Sequence, residues 1–82
     1  MDLEDKKIKW MLRRGMLELD TLLSVFFTRK YSLLSLGEKS LFVKLLSYED
    51  DYLFRILMGH DKPVDKSVVP IVAAIQSSIH AS

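Results

Sequence analysis

Apolar residues recur every three to four positions along almost the whole chain. Near the N-terminus Ile8, Met11 and Leu12 share one helical face. A second series follows: Leu19, Leu22, Leu23, Phe26 and Phe27, spaced i, i+3, i+4, i+7, i+8, the apolar stripe of an amphipathic helix. It fades at Arg29 and Lys30, cations that suit the negative end of a helix dipole. Leu41, Phe42, Leu45 and Leu46 make a third face, and Leu53, Phe54 and Leu57 a fourth. Val68, Ile71, Val72, Ile75 and Ile79 make a fifth. The alternating pattern of a half-buried strand is absent.

The breaks between these stripes carry helix-boundary chemistry. Asp2 is placed to cap the first helix, with Glu4 and Asp5 in its first turn. Ser35-Leu36-Gly37-Glu38 reads as a capping box, serine at the N-cap and glutamate three residues on. Asp50 or Asp51 can cap the fourth helix, which Gly59 closes, and His60-Asp61-Lys62-Pro63 is a connector. Ser67 as N-cap would put Pro70 in the first turn of the fifth helix, where its missing N–H costs nothing.

The apolar spacing also runs straight through Gly15. One helix over positions 3–30 would be roughly 42 Å long at 1.5 Å per residue. A compact chain of this size has a diameter of about 30 Å. The backbone is therefore expected to break near Gly15, which turns without a Cβ penalty and would serve as the C-cap of the first helix. The expectation is an all-α fold: five short helices in a compact bundle, one domain over residues 1–82, with a short flexible tail at about 77–82.

Composition narrows the function classes. The 82 residues hold no cysteine, so disulfides, thiolate nucleophiles and sulfur-based zinc sites are excluded. Twelve basic and eleven acidic side chains leave a net charge of +1, without the basic excess of a nucleic-acid binder. The acidic opening Met-Asp-Leu-Glu-Asp is unlike a targeting peptide, and no apolar run approaches the roughly 20 residues of a membrane span. His60 and His80, the two histidines, lack a partner at metal-site spacing. No Ser/His/Asp set, glycine-rich phosphate loop or paired catalytic carboxylates can be argued from the spacings.

The densest charge lies at Arg13-Arg14-Gly15-Met16-Leu17-Glu18-Leu19-Asp20. On the bland reading Arg14 and Glu18, four apart, form a surface ion pair worth roughly 0.3–0.5 kcal/mol. On the functional reading the break at Gly15 lets another chain approach the backbone. Arg14 then offers its planar fork to a partner's carboxylate or carbonyl, with Glu18 and Asp20 as acceptors beside it. Alanine in place of Arg14 or Glu18 would then leave stability nearly unchanged. Trp10 lies off the centre of the first stripe, so it is either core edge or an exposed interface anchor. Tyr48, Glu49, Asp50 and Asp51 form an acidic turn that caps a helix and faces solvent.

The run Trp10-Met11-Leu12-Arg13-Arg14-Gly15-Met16-Leu17-Glu18-Leu19-Asp20 resembles the signature of the small succinate dehydrogenase assembly factors, the flavinylation factors called SdhE in bacteria. Their Arg-Gly-x-x-Glu hallmark is matched by Arg14, Gly15 and Glu18. The likeness continues through Phe26-Phe27, the stretch from Ser35 to Leu46, Leu53-Phe54, Leu57-Met58, and His60, Lys62, Pro63 and Asp65. It departs where the family often has proline, here Val25 and the Asp50-Asp51 turn. It departs again at Ile56, often tryptophan, and at Asp61, often glycine.

The resemblance implies a cytoplasmic bacterial assembly factor rather than an enzyme. Its partner would be the flavoprotein subunit of succinate dehydrogenase and, in organisms that have it, of fumarate reductase. Partner contacts would come from Trp10, Arg13, Arg14, Gly15, Glu18 and Asp20. It would promote covalent attachment of FAD to a histidine of that subunit, the chemistry being the flavoprotein's. The factor would hold no FAD stably, no metal and no nucleic acid, and would not insert into a membrane. The rival reading is a small helical antitoxin-type or nucleic-acid-binding regulator. Lys6, Lys7, Lys9, Arg13 and Arg14 motivate it; Glu4, Asp5, Glu18 and Asp20 largely cancel their charge.

Overall fold

The computed structural model describes the backbone of residues 3–80 and the side chains of residues 6–78. Five α-helices follow one another: α1 (Leu3–Met11), α2 (Leu17–Lys30), α3 (Leu36–Leu46), α4 (Asp50–Leu57) and α5 (Val69–His80). Short 3-10 turns at Tyr31–Leu33 and Lys66–Val68 lead into the linker before α3 and into α5. Among the described residues no strand forms. The Cα radius of gyration is 11.7 Å and the principal extents are 34 × 26 × 26 Å, so the broken α1–α2 pair fits the globule that one rod would overhang.

Every predicted stripe faces the core. Ile8 and Leu12 are buried from α1 and its exit, and Leu19, Leu23 and Phe26 from α2. Phe42, Leu45 and Leu46 follow from α3, and Leu53, Ile56 and Leu57 from α4. Val68, Ile71, Val72 and Ile75 complete the core from the last segment. Each such side chain contributes roughly 1.5–3 kcal/mol by leaving water. Tyr31, in the unpredicted 3-10 turn, joins a ring cluster, its centroid 4.8 Å from Phe27 and 5.6 Å from Phe42. Ile79 and the Asp2 cap lie outside the side chains described.

The capping box is complete: the Ser35 hydroxyl accepts from the Glu38 N–H at 3.1 Å, and the Glu38 carboxylate accepts from the Ser35 N–H at 2.9 Å. Gly59 closes α4 as expected, with φ +80°. The His60 N–H reaches the Arg55 carbonyl at 2.9 Å and the Gly59 N–H reaches Ile56 at 3.1 Å, the paired bonds of a Schellman motif.

Three boundaries differ from expectation. The N-cap of α4 is Glu49, with no side-chain bond, and the Asp50 carboxylate is engaged elsewhere. Ser67 does not cap α5. Asp65 caps the 3-10 turn instead, accepting from both the N–H and the hydroxyl of Ser67, and Pro70 falls in the first turn of the helix that follows. Helix α5 runs on to His80, so residues 77–80 of the expected tail are helical.

Candidate functional site

The charged stretch occupies the linker between α1 and α2. The first helix ends at Met11, four residues before Gly15, so the glycine is not its C-cap. One further α-type bond joins the Leu12 N–H to Ile8 at 3.0 Å, and a tighter one joins Arg13 to Trp10 at 3.2 Å. Gly15 then turns the chain at φ +81°, in the left-handed region that side chains avoid. A Cβ placed there would meet nothing within 4 Å, so the turn is open to solvent. Met16 starts α2 in an extended conformation without a side-chain cap.

Two acidic side chains fix this turn from the protein side. The Asp20 carboxylate, on the first coils of α2, accepts from the Arg14 backbone N–H at 2.8 Å. Asp50 accepts from Arg14 Nε at 2.7 Å. The rest of the Arg14 fork is spent on carbonyls: Nη1 donates to Leu46 at 2.7 Å and to Met11 at 3.1 Å, and Nη2 donates to Tyr48. Met11 and Leu46 are the last residues of α1 and α3, whose carbonyls have no partner within their own helices. One guanidinium therefore caps two helix C-termini and pairs with the anion at the N-terminus of α4. Each of those placements is favoured by the helix dipoles.

That geometry corrects the picture of Arg14 as a free fork. Its side chain is only 10% exposed, and no Arg14–Glu18 pair forms. Asp20 likewise is half-buried and occupied. The outward side of the stretch belongs to other residues. Trp10 is 74% exposed, which decides its role against core edge. The Arg13 guanidinium lies 5.8 Å from the centroid of its ring, a cation–π contact that holds the indole at the surface. Trp10 and Arg13 line a shallow groove with Lys6 and Lys9. Glu18 is exposed and makes no ion pair or hydrogen bond among the described residues. Leu17 beside it is also exposed.

The expected site residues thus separate into two sets. Arg14 and Asp20 build the turn from inside, and Trp10, Arg13, Gly15 and Glu18 face out. The sequence reading missed Asp50 as a member, having given it the α4 cap. It also missed Leu17, whose only signal was a place off the Leu19–Leu23–Phe26 stripe. Among the described residues no three His, Asp or Glu side chains gather as a metal site. No described helix is long and apolar enough to cross a membrane.

Comparison with known proteins identifies the family. The profile of the family described as "Flavinator of succinate dehydrogenase" matches residues 6–79. The chain is 42% identical over 78 residues to the FAD assembly factor SdhE of Yersinia pestis, covering 94% of this chain and 89% of that protein. It is 43% identical over 74 residues to the protein of the same name from Coxiella burnetii, covering 90% of each. A third, from Wigglesworthia glossinidia brevipalpis, is 41% identical over 71 residues, 87% of this chain and 84% of that protein. With the helical architecture and the Arg14–Gly15–Glu18 turn in place, the chain belongs to the family of succinate dehydrogenase flavinators.

Proposed function

We propose that the chain is a non-enzymatic assembly factor for succinate dehydrogenase flavinylation that works by docking the enzyme's flavoprotein subunit on the Gly15 turn. The open left-handed turn carries this reading. A partner backbone can lie against Gly15 between the exposed Trp10–Arg13 pair and Glu18, while Arg14 and Asp20 hold the turn from behind. Trp10 supplies an amphipathic anchor of the kind enriched at interface hot spots, and Glu18 an unpaired acceptor.

On this reading FAD is the partner's group, its attachment chemistry belongs there, and the factor holds none stably itself. The flavoprotein of fumarate reductase is a second partner of the same chemistry, and the site of action is the bacterial cytoplasm. The rival nucleic-acid or antitoxin-type reading has no support from the relatives above, which carry the assembly-factor name.

Co-expression with the flavoprotein subunit tests the proposal, read by in-gel fluorescence of covalent flavin and by co-purification. Glu18→Ala and Trp10→Ala should each lower both signals while circular dichroism and melting stay at wild type, since neither side chain is buried. Surface changes of this kind typically move stability by less than about 0.5 kcal/mol. Normal flavinylation with both variants would remove the docking assignment.

A further inference from the structure

Asp50 lies 36 residues from Arg14 in the chain, on α4, whereas Arg14 lies in the α1–α2 linker. It is the first residue of α4, a helix anchored in the core by its buried Leu53, Ile56 and Leu57. Its carboxylate is the only anion on the Arg14 guanidinium among the described residues; the other acceptors are the neutral carbonyls of Met11, Leu46 and Tyr48. A nearly buried guanidinium left with neutral acceptors alone has no counter-charge and is poorly compensated. Without the carboxylate, the arginine gains by swinging out to water. Gly15 sits next to it, on a turn with no side chain of its own to hold it.

We propose that Asp50 is a positioning residue for the docking turn. Acting through the Arg14 guanidinium, it keeps Gly15 and Glu18 in the arrangement the flavoprotein partner binds, without contributing a partner contact of its own. The same logic governs engineered sites, where groups that lock the contacting residues decide whether a site that is present is also tight. The proposal rests on the docking reading given above and adds to it a residue from the acidic α3–α4 turn.

The test is a set of binding titrations against the purified flavoprotein subunit with the full chain. Asp50→Asn should weaken binding about tenfold, the loss expected when the competent turn falls to about a tenth of the population. The same substitution in an Arg14→Ala background should cost nothing further, because its only route is already gone. Additive losses would mean that Asp50 touches the partner directly, and would overturn the proposal.

Amide exchange at Arg14, whose N–H is bonded to Asp20, reports on the turn itself and should quicken in Asp50→Asn. Wild-type exchange and wild-type affinity in that variant would also overturn it. Ile75→Val, a fully buried change far from the turn in sequence, controls for stability and should keep wild-type affinity while lowering the melting temperature. If affinity instead falls with stability in Ile75→Val, the Asp50 effect is general and the positioning role is lost. Gly15→Arg separates the two levels. If it binds like wild type, the docking reading fails; if it loses the partner while Asp50→Asn does not, only the role of Asp50 fails.

Discussion

Arg14 and Asp50 are joined by a 2.7 Å charge-assisted bond that ties the linker after α1 to the first turn of α4. Their pairing gives the Arg-Gly-x-x-Glu motif two jobs in neighbouring residues. The arginine faces inward and sets the turn, and the glycine and glutamate face outward. A surface motif can thus be sensitive to substitution at a residue that a partner barely sees.

Arg14→Ala should accordingly destabilise the fold, contrary to the neutral effect expected of an exposed arginine. It strips the carbonyls of Met11, Leu46 and Tyr48 of their donor and frees Asp50. Hydrogen bonds to charged groups are worth about 1.5–3 kcal/mol, so a loss of that order in urea unfolding is expected. For a domain of this size each kcal/mol lowers Tm by about 4–8 °C. Arg14→Lys should recover only part, because an ammonium cannot span acceptors on three sides. An unchanged urea midpoint in Arg14→Ala would show that the clasp contributes nothing in solution.

The contrast between Arg14 and the helix stripes shows what the sequence could reveal. Leu19, Leu23 and Phe26 announce their burial by spacing, since i, i+3, i+4 periodicity is local and burial of one face follows from it. Ser35 and Glu38 announce a capping box because both partners lie within one turn. The Arg14–Asp50 clasp has no such signature. Its partners are 36 residues apart, and each has a plausible local use, Arg14 with Glu18 and Asp50 as a cap. Family resemblance marked Arg14 as important but not which way it pointed. The break near Gly15 was readable from length against globule diameter, while its start after Met11 depended on where Asp20 and Asp50 catch Arg14.

The Ser35–Glu38 capping box supplies a test of local energetics. Ser35→Ala removes the hydroxyl acceptor of the Glu38 N–H and should cost about 1 kcal/mol in urea unfolding. Partner binding should be untouched, since the box lies at the start of α3 and makes no contact with Arg14 or Asp50. A variant as stable as wild type would mean that solvent replaces the cap.

Asp65 predicts the shape of the acid limb. Its carboxyl is held well below its ordinary value of 3.8, first by the Lys44 ammonium and then by the hydroxyl and N–H of Ser67. A group whose pKa is depressed on folding contributes stability above its unfolded pKa, and loses it as pH falls through the lower folded value. The stability gap between wild type and Asp65→Asn should therefore be constant from neutral pH to about 5 and close progressively below about 4. Glu38, lowered from 4.5 by the Ser35 N–H and hydroxyl, weakens in the same direction. Urea titrations of both proteins between pH 7 and 2 would check this, and a gap that stays constant to pH 2 would remove Asp65 from the account.

Gly15 offers the sharpest separation of fold from function. At φ +81° any side chain pays a left-handed penalty of about 1–2 kcal/mol, and the space beyond the Cβ is open. Gly15→Ala and Gly15→Arg should therefore lose similar amounts of stability, because the arginine side chain leaves into solvent without a clash. Gly59 has nearly the same geometry, φ +80° with nothing within 4 Å, at the other end of the fold's fourth helix. Gly59→Ala is thus a control for strain alone. Flavoprotein binding should survive Gly59→Ala, weaken in Gly15→Ala and disappear in Gly15→Arg, where a long cation fills the place of the partner's backbone. If binding across the three variants follows their melting temperatures instead, the glycine is needed for folding and the open turn is not where the partner lies.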